Sequence, residues 1–259
     1  MNQLSKFPYP KHIEAHEPGD DIAPYEHIYK AFTSDRNLAM VRSQKNWERL
    51  LKRDPYKDLE FTFLCRDDSG NGISYILYSK GSGEWGNALD IKECCWSTPE
   101  GLQQILGFMG RLSAEFEAVN WNAPCDVNVH ALCPEGYEPS LTIRATGMNR
   151  VVDVSAGLAT LNAPVSVGGG KVHVEIVDAY WPSNSGVYAI EWSDGNLTVE
   201  KCKNISADMK TSVETLVQLI TGYITPEEAV YKTCTTVHSA FADFNSLFPK
   251  KRLYTMEKF

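Results

Sequence analysis

No run of apolar residues in these 259 positions approaches the ~20 that a bilayer-spanning helix needs. The opening stretch, Met1-Asn2-Gln3-Leu4-Ser5-Lys6-Phe7-Pro8-Tyr9-Pro10, has no apolar signal core. Neither membrane insertion nor export is expected, which leaves the cytoplasm as the expected compartment. Positive charge is scarce as well: 25 Lys and Arg stand against 33 Asp and Glu, for a net charge of −8. Nucleic acids and anionic membranes are held by basic patches, so neither is an expected partner. Cationic amines would instead be attracted.

Several chemistries are missing too. The seven cysteines (65, 94, 95, 125, 133, 202, 234) are odd in number and form no C-x-x-C pair. The adjacent Cys94 and Cys95 would point to opposite faces of a strand. Reduced thiols are therefore expected rather than a disulfide framework. His130 and Cys133 lie three apart with only Cys125 nearby, too little for a zinc site, and no metal is expected. There is no G-x-S-x-G elbow for a serine nucleophile, and no cysteine has the surroundings of an activated thiol. Gly81-Ser82-Gly83-Glu84-Trp85-Gly86 matches G-x-G-x-x-G by letter, but it joins two strands and precedes no helix.

What is present is an ordinary globular composition, 43% hydrophobic and 22% charged, with length for one large domain or two of usual size. Residues 1–21, rich in proline and charge without apolar periodicity, read as an arm or linker. Tyr25, Ile28, Tyr29 and Phe32 recur at helical spacing, and a second helix starts from a Ser43 cap and stops at Asp54-Pro55. A hairpin follows, Leu59–Cys65 and Ile73–Tyr78 around Asp67-Asp68-Ser69-Gly70. A strand from Ala88 to Trp96 passes through Thr98-Pro99, cap and first helical residue, into a helix with Leu102, Ile105, Leu106 and Met109 buried. A short strand, Ala118–Trp121, closes this part.

The pattern changes between about 139 and 147, giving domains at 22–143 and 144–259. After a short helix around 154–161 come three antiparallel strands (171–179, 186–193, 196–202), then helices near 211–222, 226–233 and 235–247. The fold class is α+β.

Met148-Asn149-Arg150-Val151-Val152-Asp153 opens a series of motifs. It continues through Val177-Asp178-x-x-Trp181-x-x-Asn184-x-Gly186-x-Tyr188, Leu219-Ile220-Thr221-Gly222-Tyr223 and Leu247-Phe248-Pro249, and ends on Phe259. In order and spacing this resembles the carboxyl-terminal, sterol-carrier-protein-like domain of the Eis-like (enhanced intracellular survival) GNAT acetyltransferases. The helix, helix, hairpin, strand, helix, strand order before it is similar to the family's second, degenerate GNAT-like domain. The resemblance implies the non-cofactor portion of an N-acetyltransferase that moves an acetyl group from acetyl-CoA to an amine, on a small molecule or peptide. It implies further that an amino-terminal GNAT domain supplies acetyl-CoA, and that the assembly is a homo-oligomer. Such a chain would supply pocket walls, oligomer contacts and its terminal carboxylate, and would be inactive alone.

In a working GNAT domain an Arg/Gln-x-x-Gly-x-Gly/Ala loop leads from the fourth strand into its helix, where backbone amides hold the pyrophosphate. Here the junction reads Cys95-Trp96-Ser97-Thr98-Pro99-Glu100-Gly101. Pro99 removes a donor and Glu100 adds a like charge, so no cofactor-binding residues are expected. The resemblance gives the terminal carboxylate of Phe259 the role of general base and places Glu257 at the substrate. Lys258 departs from the family's acidic ending. Trp181, in a loop reading Tyr180-Trp181-Pro182-Ser183-Asn184, is the candidate aromatic contact for substrate. Tyr188 and Trp192 would share a buried face with Ile190. Arg150 and Asp153 read as a structural ion pair or a helix cap. The alternative function is a stand-alone sterol-carrier-like module that binds an apolar or aromatic ligand without catalysis.

Overall fold

The computed structural model describes residues 3–83, 86–133, 139–143, 147–164 and 168–256. The chain forms two compact units, one of Met1–Ile143 with Tyr254–Phe259 and the other of Arg144–Leu253.

The first unit contains β1 (His12–Ala15), α1 (Ala23–Thr33), β2 (Arg36–Asn37), α2 (Gln44–Leu51), α3 (Pro55–Asp58), β3 (Glu60–Arg66), β4 (Gly72–Ser82), β5 (Asn87–Trp96), α4 (Pro99–Arg111), β6 (Ala118–Trp121) and α5 (Val129–Leu132). Its main sheet runs β1-β3-β4-β5-β6, antiparallel except for the β5–β6 pair. Local chemistry sets the helix ends. Ser43 accepts from the Asn46 amide while the Asn46 side chain accepts from the Ser43 amide, a reciprocal capping box at the start of α2. Asp54 accepts from the Tyr56 amide and Pro55 fits the first helical position, so one further turn, α3, forms where the sequence suggested a stop.

The sheet is covered on both faces, which explains the unbroken apolar run of β4. Tyr75 and Leu77 join Tyr25, Tyr29, Phe32 and Trp47 on the α1–α2 face. Ile76 and Tyr78 join Leu89, Ile105 and Met109 on the α4 face. A bulge changes the parity of β5: Leu77 pairs with Glu93 and Tyr78 with Ile91, which leaves Lys92 over. Ile91 and Cys94 therefore share the α4 face, and Cys95 turns to the other side.

Residues 1–21 are expected to be an arm or linker, but residues 3–21 are built into this unit. β1 pairs antiparallel with β3, and Leu4 and Phe7 pack against the α4-side cluster. Two glycines admit them: a Cβ on Gly107 would lie 2.1 Å from the Pro8 carbonyl oxygen, and one on Gly110 2.3 Å from the Ser5 nitrogen. A four-residue strand shows too little alternation to be seen in sequence.

The second unit contains α6 (Val154–Leu158), β7 (Gly170–Val177), β8 (Gly186–Ser193), β9 (Asn196–Cys202), β10 (Met209–Ser212), α7 (Val213–Thr221), α8 (Pro226–Ala229), β11 (Thr236–Val237), α9 (Phe241–Leu247) and β12 (Arg252–Leu253). Its sheet runs β11-β10-β7-β8-β9, with five strands where three were expected. β10 is parallel to β7, so the sheet is mixed. β10 and β11 escape sequence reading because each is short and abuts a helical pattern. Val172, Val174, Ile176, Tyr188, Ile190 and Trp192 alternate onto one buried face, against Val213, Leu216 and Leu219 of α7 and Phe244 and Leu247 of α9. Each fully buried side chain of this size contributes roughly 1.5–3 kcal/mol.

Candidate functional site

Three places bear on function: the start of α4, the loop carrying Trp181, and the closing segment.

At the start of α4 the helix satisfies itself. The Thr98 hydroxyl accepts from the Gly101 amide at 3.1 Å, and Pro99 occupies the first helical position without an N–H. The Glu100 carboxylate is turned along the helix and accepts from Gln104 at 2.9 Å. Gly101 lets the backbone approach the neighbouring strand, since a Cβ there would lie 2.5 Å from the Ile73 carbonyl oxygen. Acetyl-CoA, which a GNAT fold implies, does not fit this junction. Of the amides that would hold its pyrophosphate, one is missing and one is taken, and a carboxylate stands at the first turn. Gly81 and Ser82 end β4, paired with Ala88 and Asn87 of β5, and the Gly83 amide donates to the Gly86 carbonyl at 2.8 Å. Glu84 and Trp85 lie outside the described residues.

The Trp181 loop is organised around one buried carboxylate. Asp178 accepts from the amides of Tyr180 (3.0 Å) and Trp181 (2.9 Å), from the Asn184 side chain (3.1 Å), and from Arg150 with both oxygens (2.6 and 2.7 Å). Its side chain is inaccessible to solvent. Burial pushes its pKa up, but the donors of Asn184, Trp181, Arg150 and Tyr180 together outweigh that and hold it down at about 2. The rest of the motif completes the loop. Tyr188 donates its hydroxyl to the Asn184 carbonyl at 2.7 Å, and Gly186 adopts φ +146°, which a side chain would strain. Arg150 thus pairs with Asp178, while Asp153 caps α6 by accepting from the Ala156 amide at 3.0 Å. Trp181 itself is 62% exposed and Tyr180 81%, whereas Tyr188 and Trp192 are core. The hub holds the loop backbone and leaves the indole in solvent.

The closing segment returns to the first unit. Tyr254 is 4% exposed, lies edge-on to Phe32 at 5.0 Å and to Tyr29 at 6.3 Å, and its hydroxyl sits 3.6 Å from the Cys95 sulfur. Met256 packs against the same cluster. Glu257 and Phe259, the expected substrate and catalytic residues, lie outside the described residues. Beside Tyr254 is a polar group that sequence reading missed. Arg42 and Glu93 form a two-pronged ion pair with side chains 5% and 4% exposed, one prong at 2.8 Å. Tyr75 donates to the same carboxylate, and the guanidinium lies over Tyr29 (4.2 Å) and Trp47 (4.8 Å).

Two open clefts of about 270 Å³ each occur among the described residues. One lies in the first unit beside Glu14, His16, Asp20, Tyr25 and Arg66, the other in the second beside Asn162, Asn245, Pro249 and Lys251. Trp181 lines neither. No helix among the described residues is long and apolar enough to cross a membrane.

Residues 38–151 match the model of an acetyltransferase (GNAT) domain, and residues 154–256 that of a sterol carrier protein domain. No curated protein sequence matches the chain. Among solved structures, a GCN5-related N-acetyltransferase from Anabaena variabilis is 17% identical with TM-score 0.77, over 100% of this chain and 65% of its own. A probable N-acyltransferase from Enterococcus faecalis is 19% identical with TM-score 0.75, over 99% and 65%. Eis1 from Mycobacterium abscessus is 17% identical with TM-score 0.67, over 99% and 66%. The chain therefore spans just under two thirds of these structures, and at such identities the likeness is one of fold. Its two parts are thus similar in turn to an acetyltransferase (GNAT) domain, over residues 38–151, and to a sterol carrier protein domain, over residues 154–256.

Proposed function

We propose that this chain is the non-cofactor portion of an Eis-like N-acetyltransferase, which transfers acetyl from acetyl-CoA to an amine once joined to a cofactor-bearing GNAT domain. The observation that carries this reading is the start of α4, where Thr98, Pro99 and Glu100 occupy the place of a phosphate loop. The two matched domains in this order, and the third of each similar structure that the chain leaves uncovered, support it. In this reading the chain is a cytoplasmic component of a homo-oligomer. Trp181 offers an exposed aromatic face to the substrate and Glu257 attracts its cationic amine. The Phe259 carboxylate accepts the proton that the amine releases on acylation. An unperturbed terminal carboxyl titrates near ~3.5 and is ionised at neutral pH, as that role requires.

Acetyl-transfer assays with the chain alone and mixed with a separately expressed GNAT domain test the reading. Activity is expected only in the mixture, and lost when the chain ends one residue early, before Phe259. Turnover by the chain alone would overturn it.

A further inference from the structure

We infer that Tyr254 is a positioning residue. It anchors the closing segment of the chain to the first unit, and release of that anchor is a local opening that uncovers Cys95 while the sheet stays folded.

The chain leaves the first unit, builds all of the second, and returns for Tyr254–Phe259 alone. At the point of return the backbone and the side chain are both fixed. The Tyr254 amide donates to the Asn37 carbonyl at 3.0 Å. The ring fills a slot walled by Phe32 and Tyr29, and the hydroxyl reaches the Cys95 sulfur at 3.6 Å. Its neighbours in sequence do not share this burial: Thr255 is exposed and Met256 only half-buried. Tyr254 is the buried side chain of this described segment, with Met256 half-buried against the same cluster, and burying a large aromatic is where such a segment gains its hold. The residues that follow are tethered to it, each adding at most about 3.6 Å of extended chain. If the chain works as proposed above, Tyr254 sets the volume that Glu257 and Phe259 can reach.

The site also carries its own reporter. Cys95 is inaccessible beneath Tyr254, on the α1–α2 face. Cys94 and Cys65 are equally buried on the opposite, α4 face. Burial raises the thiols of Cys94 and Cys95, and that of Cys65 to about 11, so none reacts while covered. Release of the closing segment would expose Cys95 alone. Global unfolding would expose all three.

The test is native-state labelling with N-ethylmaleimide, read residue by residue by peptide mass spectrometry. In the unmodified chain Cys95 should label at least tenfold faster than Cys94 and Cys65, in step with hydrogen exchange at the Tyr254 amide. Tyr254→Ala should raise Cys95 labelling a further tenfold or more with Cys94 and Cys65 unchanged, and Tyr254→Phe, which keeps the ring, should stay near the unmodified rate. If the three thiols label together in the unmodified chain, the segment is part of the cooperative core and the inference fails. It fails equally if Tyr254→Ala accelerates all three alike. Neither outcome depends on acetyl transfer, so the anchor can fail while the proposed function stands, and the reverse.

Discussion

Among the described residues each unit buries one carboxylate, and the two are satisfied in opposite ways. Glu93 in the first unit takes its partners from far along the chain: Arg42 lies 51 residues away and Tyr75 18 away. Asp178 in the second takes two amides and a side-chain amide from the six residues that follow it, and only Arg150 from further off. The first arrangement ties α-helical and sheet layers together and leaves nothing in solvent. The second shapes a short loop and presents Trp181 outward. A buried charge met by distant partners stabilises tertiary structure, whereas one met by its own loop preorganises a surface.

Breaking one partner of the first arrangement should have the largest effect. Arg42→Met or Glu93→Leu alone leaves an uncompensated buried charge and should cost about 3–5 kcal/mol, while the double change should recover most of that loss. Urea unfolding of the two single variants and the double variant checks the cycle. The second arrangement should show itself in acid. Asp178 titrates at about 2 in the folded unit against about 3.9 when unfolded. Its folded pKa is depressed, so its contribution is present above pH ~4 and lost as pH falls toward ~2. Asp178→Asn should lower the melting temperature at neutral pH and flatten its decline between pH 5 and 2, as thermal unfolding across that range would show.

Helix ends extend the contrast on a smaller scale. Gly222 ends α7 in the left-handed conformation, φ +77°, with Lys251 crowding the place of a Cβ. Gly222→Ala should cost about 1–2 kcal/mol. Thr98→Ala removes only a cap, and about 1 kcal/mol is expected in the same unfolding assay.

What could be read in the sequence follows the same division. Partners close in sequence were legible. The caps by Ser43 and Thr98, the α4 start and the loop character of Tyr180–Asn184 all depend on residues within a few positions of one another. Arg150 and Asp153 read as a structural ion pair or a helix cap: the cap by Asp153 is local and legible, whereas the carboxylate that Arg150 pairs with lies 28 residues on. Distant and aperiodic features were hidden. The bulge at Lys92 puts Ile91 and Cys94 on one face of β5 and Cys95 on the other, so the face that Glu93 joins is hidden until the register is known. The close approach at Gly107 and Gly110 depends on a segment a hundred residues earlier that has no periodicity of its own. β10 and β11 are too short to show alternation beside strong helical patterns. Trp181 was identified as a loop aromatic, yet the carboxylate that shapes its loop was legible only as one letter of a motif.

Titration calorimetry with acetyl-CoA tests most directly the proposal that this chain holds no cofactor site of its own. With Thr98 capping Gly101 and Pro99 lacking a donor, no saturable heat is expected at ligand concentrations up to about a millimolar, where even −4 kcal/mol of binding would register. A stoichiometric isotherm with micromolar affinity, about −8 kcal/mol, would contradict it.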